Sequence, residues 1–193
     1  MPGGRPRSFD PDAALDRALE LFWQQGYEGT SLTELTAAMG INKPSLYAVF
    51  GNKEQLFAQA LDRYLAGPGA FAADALDEPT VRAVVERLVF GNIDLTTGTD
   101  TPHGCLTVMG VHACGPDAKP VRDDAVRRRK AGEAALRRRF ENAPDLPRHA
   151  NAATLAQLVH TLTDGIAVQA AAGRPREELQ AVAQLALRGL LDP

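Results

Sequence analysis

Two stretches of this 193-residue chain hold side chains whose types and spacing could do chemistry. In the first, residues 103 to 114 (HGCLTVMGVHAC), a His-x-Cys pair occurs twice. Imidazole and thiolate are zinc ligands, so the repeat raises the question of a metal site. Helical geometry argues against four ligands. Cys105 and His112 lie seven residues apart and share a face, with Met109 between them, whereas Cys114 falls on roughly the opposite side. At most three groups converge, and no metal is expected. Thiol chemistry is a separate matter. Cys105 follows Gly104 near a predicted helix start, where the helix dipole favours thiolate and His103 could assist. Cys105 then has three readings: a sensor of oxidants or electrophiles, the nucleophile of a helical thiol peroxidase, or a small packing residue. The peroxidase lacks a Cys-x-x-Cys pair and any evident resolving thiol, since Cys114 points away. No cofactor is expected.

The second stretch, residues 30 to 53 (TSLTELTAAMGINKPSLYAVFGNK), has the pattern of two short helices joined by a tight turn. Thr30 and Ser31 are good N-caps, and Glu34 stands three residues after Ser31, as a capping box requires. Leu32, Leu35 and Met39 form one stripe, Gly40 supplies a left-handed stop, and Ile41 plugs the turn. Asn42 can cap the second helix with Pro44 in its first turn. Leu46, Val49 and Phe50 face inward, leaving Lys43, Ser45, Tyr47 and Ala48 mostly outward. Two turns with that exterior cannot stabilise themselves, but they suit a recognition helix entering the major groove. Phosphate contacts are expected from Thr30, Ser31, Tyr47 and Lys53. Base-edge contacts are expected from Lys43, Ser45 and Ala48, the last through a thymine methyl. Arg5 and Arg7 lie in a Gly- and Pro-containing arm that could reach an adjacent groove.

These residues resemble the N-terminal domain of TetR-family transcriptional regulators over positions 9 to 65. The resemblance is carried by Ala18, Leu21, Phe22, Gly26, Tyr27, Thr30, Ser31, Leu35, Gly40, Ser45, Leu46, Tyr47, Phe50, Lys53, Leu56 and Phe57, and by the Tyr-x-x-Phe-x-x-Lys-Glu run from Tyr47 to Glu54. It implies an all-α fold of about nine helices. A three-helix helix-turn-helix head (1–50, with a flexible arm 1–9) would precede a larger ligand-binding and dimerisation body (51–193). The function it implies is a ligand-responsive regulator, most commonly a repressor, released from a palindromic double-stranded operator by a small-molecule effector. Some similar regulators carry a Gly-Cys-Leu like that at Cys105 and respond to electrophiles or oxidants. A helical interaction protein that has lost DNA binding is a further alternative.

Composition is compatible with that reading. Hydrophobic residues make up 45% of the chain, enough for a sizeable core. No apolar run approaches the roughly 20 residues of a membrane span, and no apolar signal region follows the basic start, so a cytoplasmic protein is expected. The formal net charge is −3, which by itself disfavours nucleic acid. The acids nevertheless avoid the expected contact surface: between Met39 and Lys53 there are two lysines and no carboxylate.

The remaining elements must hold this head. The pattern predicts helices over about 11–25, 52–66, 78–97, 104–114, 119–142, 148–172 and from Arg174 or Pro175 to about 191. Gly67-Pro68-Gly69 lies near a natural boundary. Phe90, Ile93, Cys105, Met109, His112 and Val168 are candidate pocket residues. The basic runs 127–130 and 137–139 are expected to form a solvated helix face, with Glu133 spaced to pair with Arg137. The final helix is apolar over more than one face, with Leu179, Val182, Ala183, Ala186 and Leu190 on one and Leu185, Leu187 and Leu191 on another. Such a helix needs a second partner. Together with the alanine-rich helix before it, it could build a four-helix seam between two chains, and the resemblance implies the same homodimer.

Overall fold

The computed structural model describes residues 9–112 and 114–191, with only the backbone of His112. Arg5 and Arg7 lie outside the described residues. Among those residues there are ten α-helices and no strand. They are α1 (Pro11–Gly29), α2 (Leu32–Met39), α3 (Lys43–Phe50), α4 (Lys53–Ala66), α5 (Phe71–Asp74), α6 (Val81–Thr96), α7 (Leu106–His112), α8 (Lys119–Glu141), α9 (Ala152–Ala171) and α10 (Arg176–Leu191).

Helix ends follow local side-chain chemistry. The Asp10 carboxylate accepts from the Asp12 amide, and Pro11 occupies the first helical position of α1. α2 opens on a complete capping box: Ser31 N–H donates to Glu34 Oε2 at 2.8 Å, and Glu34 N–H donates to Ser31 Oγ at 3.2 Å. Asn42 Oδ1 accepts from Ser45 N–H at 2.9 Å and starts α3. Asn52 and Gln55 form a second box at α4. Gly51 between α3 and α4 takes φ +77°, ψ −144°, and a Cβ there would approach Gln55 Oε1 to 1.9 Å. Only glycine reverses the chain at that point.

Two elements depart from the sequence pattern. The helical stripe alone ends α1 near residue 25, whereas the element runs to Gly29 across a kink at Gly26, φ +72°. Sequence periodicity also gives no hint of α5 and the 3-10 turn Ala75–Asp77, because four residues are too few for a helical stripe to register.

Two cores result. The first joins α1 to α4 and α7 around Phe22, Leu35, Leu46, Leu56 and Phe57. Phe57 sits edge-on to Phe22 (4.9 Å between centroids) and to Tyr27 (5.3 Å). Truncating such an aromatic costs about 3–5 kcal/mol. The second core joins α6, α9, α10 and the end of α8 around Val85, Ile93, Phe140, Val159 and Leu187. The first core therefore draws α4 and α7 from beyond residue 50 into one apolar unit with the helix-turn-helix. Among the described residues no helix is long and apolar enough to cross a membrane.

Candidate nucleic-acid interface and effector cavity

α3 buries Leu46 and Phe50 completely or nearly so. Asn42, Lys43, Tyr47 and Ala48 are exposed and Ser45 is half-buried, so the outward face read from the sequence stands free. Tyr47 keeps 49% of its surface in solvent, an unusual cost for a large aromatic. Lys53 is half-buried, its ammonium 4.3 Å from the centroid of the Tyr27 ring. Burial lowers the Lys53 pKa, and burial followed by Glu54 and Glu28 pushes the Tyr27 phenol up to about 12. The arrangement keeps a cation at the N-terminus of α4 while its stem packs on the first core.

Ser31 is exposed beside this surface, but Thr30 is not. Its side chain is fully buried and its hydroxyl donates to the Gly26 carbonyl at 2.7 Å. The kink at Gly26 frees that carbonyl, and Thr30 satisfies it. Thr30 thus closes α1 and has no hydroxyl to offer a phosphate.

Behind the head lies a cavity of about 180 Å³ between α4, α5, α6, α7, α8 and α9. Of the pocket residues expected from sequence, Cys105 lines it. Ile93 is sealed in the second core with Phe90 packed against it, Met109 packs on the first core, and Val168 is 38% exposed. Small rotations of α6, α7 and α9 about their axes decide this, and periodicity fixes such facing only to within a residue. The side chain of His112 lies outside the description. Sequence reading missed Tyr64, Asn92, Arg128, Arg129, His160 and Asp164, all of which line the cavity.

The basic run in α8 is consequently more than a solvated face. Arg129 Nη1 donates to Asp164 Oδ1 at 2.9 Å, and its Nη2 to Oδ2 of the same carboxylate. Arg128 Nε donates to Asp124 at 2.7 Å and its Nη1 to Asp62 on α4. Arg139 holds the backbone carbonyls of Leu76 and Glu78. Arg137 pairs with Glu141 instead of Glu133. Residue 129 meets residue 164 because α8 packs on α9, a relation no local spacing reveals.

Cys105 is 8% exposed. Tyr64 Oη donates to its sulfur at 3.3 Å, and Thr107 Oγ1 lies 3.0 Å from it. Burial and the neighbouring thiol raise the Tyr64 pKa. Cys114 is half-buried near Glu28 and Lys53, and burial raises its thiol pKa. Among the described residues no three His, Cys, Asp or Glu side chains are grouped to hold a metal.

α7 joins cavity to head. Its N-terminal turn supplies Thr107 and Val108 to the cavity wall. Farther along, a Cβ at Gly26 would stand 3.4 Å from the Gly110 carbonyl, so α1 and α7 meet there nearly backbone to backbone. Trp23 Nε1 donates to the Gly104 carbonyl at 2.8 Å, and Gly115 N–H to Glu28 Oε1 at 3.2 Å. The end of α1 that these contacts grip leads within two residues into the capping box of α2.

Comparison with known proteins agrees with this arrangement. The profile of bacterial regulatory proteins, tetR family, matches residues 14–60. The HTH-type transcriptional repressor ComR of Escherichia coli K12 is 34% identical over 190 residues, 96% of this chain and 90% of ComR. A structure of the TetR family transcriptional regulator CifR, a cysteine mutant complexed with a 26-base-pair double-strand operator, superposes with a TM-score of 0.90 at 41% identity, covering 95% of this chain and 98% of that one. The chain belongs to the TetR family of transcriptional regulators. A second repressor of E. coli K12, BdcR, is 34% identical over 185 residues, 95% of this chain and 90% of BdcR. TetR-family proteins are non-enzymatic DNA-binding regulators, so the thiol peroxidase reading is not favoured.

Proposed function

We propose that this TetR-family chain is a cytoplasmic homodimeric repressor that occupies a palindromic operator and leaves it when a small molecule enters the cavity behind the head. The observation that carries the reading is the free face of α3, with Tyr47 exposed on an element whose opposite side is fully buried. ComR and BdcR are repressors, and CifR is bound to operator DNA. In our assignment Ser31, Tyr47 and Lys53 contact phosphates, Asn42 sets the register of α3, and Lys43, Ser45 and Ala48 face base edges. Arg5 and Arg7 extend the contact along the duplex. The head is residues 1–50 and the effector and dimer body residues 51–193.

Dimerisation supplies the second head. Leu158 and Val168 on α9 and Val182 and Leu185 on α10 are large apolar side chains left 38–66% exposed in a single chain. Burying them against their counterparts in a second copy places two recognition helices on successive major grooves, about 34–36 Å apart. An effector shifts the equilibrium only if it binds one head spacing better than the other, and α7 is the element through which cavity and head can share that preference.

The test is selection of bound sequences from random duplex DNA, followed by fluorescence anisotropy on the enriched site. A palindrome should emerge, and Tyr47→Ala should weaken its binding by roughly tenfold, the scale of a single polar DNA contact, with the helical circular dichroism unchanged. No enriched sequence at low salt would overturn the reading.

A further inference from the structure

The charges on the outer side of α1 are sorted by direction. Asp12 and Asp16 turn toward α4, where Arg63 holds them at 3.1 and 2.8 Å, and Glu20 accepts from Gln24. Arg17 turns the other way. Its Nη1 lies against the α2–α3 turn, 3.4 Å from where a Cβ on Gly40 would stand. Among the described residues this exposed guanidinium has no hydrogen-bond or ion-pair partner. The turn beneath it lines a polar groove with Phe9, Thr36, Asn42 and Ser45, and no carboxylate stands between Met39 and Lys53. A planar cation with five donors is thus presented, unneutralised, beside the first turn of α3.

The position matters because of what lies at the other end of α2. Ser31 caps that helix at its N-terminus, and Lys53 stands near enough to Glu34, in the first turn, to attract its carboxylate. The eight residues of α2, at 1.5 Å each, separate that end from the α2–α3 turn by about 12 Å. The major groove of B-DNA is about 12 Å wide. With Ser31 and Lys53 on the phosphates of one groove edge, the phosphates of the other edge pass along the turn. We propose that Arg17 is a DNA-contact residue whose guanidinium donates to a backbone phosphate on the groove edge opposite the one held by Ser31 and Lys53. The proposal deepens the repressor reading and rests on it for the placement of those two residues. Two N–H groups of one guanidinium match the oxygens of one phosphate, and packing on the turn limits the side-chain freedom lost on binding. Phosphates carry no sequence information, so Arg17 contributes affinity and register and leaves base choice to α3.

The experiment is fluorescence anisotropy of the full-length protein on its selected operator and on an unrelated duplex, across a range of salt concentrations. Each phosphate neutralised by the protein adds about 0.9 to the slope of log affinity against log salt. Arg17→Gln should therefore flatten the slope by about 0.9 per head, or about 1.8 for a dimer, and weaken both duplexes by the same factor. Arg17→Lys keeps the charge and should keep the slope. A set of operators, each carrying a single uncharged methylphosphonate, then locates the contact. One such replacement should weaken the unsubstituted protein and leave Arg17→Gln unaffected, and it should lie on the groove edge opposite the phosphate that Lys53→Gln masks. An unchanged slope in Arg17→Gln would overturn the proposal, as would additive losses at every methylphosphonate or masking on the same edge as Lys53. Weaker binding with the slope intact would make Arg17 a support of the turn and overturn it too. A palindrome bound equally well by the unsubstituted protein and Arg17→Gln removes this contact alone. Failure of the unsubstituted protein to bind any duplex at low salt sinks the repressor reading and the contact with it.

Discussion

At the scale of single residues, the outward face of α3 follows from what its inward face buries. Lys43, Ser45, Tyr47 and Ala48 face outward because Leu46 and Phe50 face inward, a periodicity visible in eight letters. Thr30 shows where such reading ends. A hydroxyl at an N-terminal position is a plausible phosphate ligand until the Gly26 kink presents a carbonyl to it. Thr30→Val should therefore lower the unfolding free energy by about 1 kcal/mol, the net value of one buried hydrogen bond, while leaving the operator affinity of the folded protein unchanged. Denaturant melts and anisotropy on one preparation check both halves, and a loss of affinity without a loss of stability would refute the assignment. Gly51 allows a stronger statement. Its backbone lies in a region nearly closed to L-residues, and Gln55 occupies the space of a Cβ. Gly51→Ala should cost about 1–3 kcal/mol and weaken DNA binding as well, since it alters how α3 is set on α4. An unshifted melt would show that the turn can relax.

At the scale of elements, helices with strong caps and stripes are found where the sequence places them, within a few residues. α5 escapes because it has no periodicity, and the cavity escapes because its wall is assembled from six helices. Asn92 was an available signal: a polar residue in the otherwise apolar run from Leu88 to Ile93. His160 on α9 yields a prediction about acid. Burial is the largest influence on it and lowers its pKa below the ordinary 6.5; Arg129 acts in the same direction, while Asp164, Glu133 and a hydrogen bond with the Gly132 backbone oppose. A histidine whose folded pKa is depressed leaves the unfolded chain holding more protons in acid. Its contribution is therefore complete above about pH 6.5 and declines as the pH falls toward the folded value. Thermal midpoints recorded between pH 7.5 and 5 should fall, and His160→Gln should flatten that part of the profile. An identical slope in the variant would assign the loss to other groups.

At the scale of the whole molecule, the last two helices bear the question of assembly. The excess of apolar faces on α10 was readable from composition, and the structure locates the surplus at Val182 and Leu185, with Leu185 66% exposed. Leu185→Lys should leave the chain folded, convert a dimer to a monomer in sedimentation, and weaken operator binding because a lone head loses its tethered partner. A dimer that survives this substitution would move the interface elsewhere. The first core, which fuses α4 and α7 to the head, makes the junction between the two functions a packed one. The chain has a single tryptophan, Trp23, and it sits in that junction, bonded to Gly104 and edge-on to the Tyr64 ring at 4.8 Å. Tyr64 is also a wall of the cavity. The molecule thus carries its own optical gauge: the emission of one indole reports on the loop that leads into α7, so occupancy of the cavity can be followed in the native protein by fluorescence with no label attached.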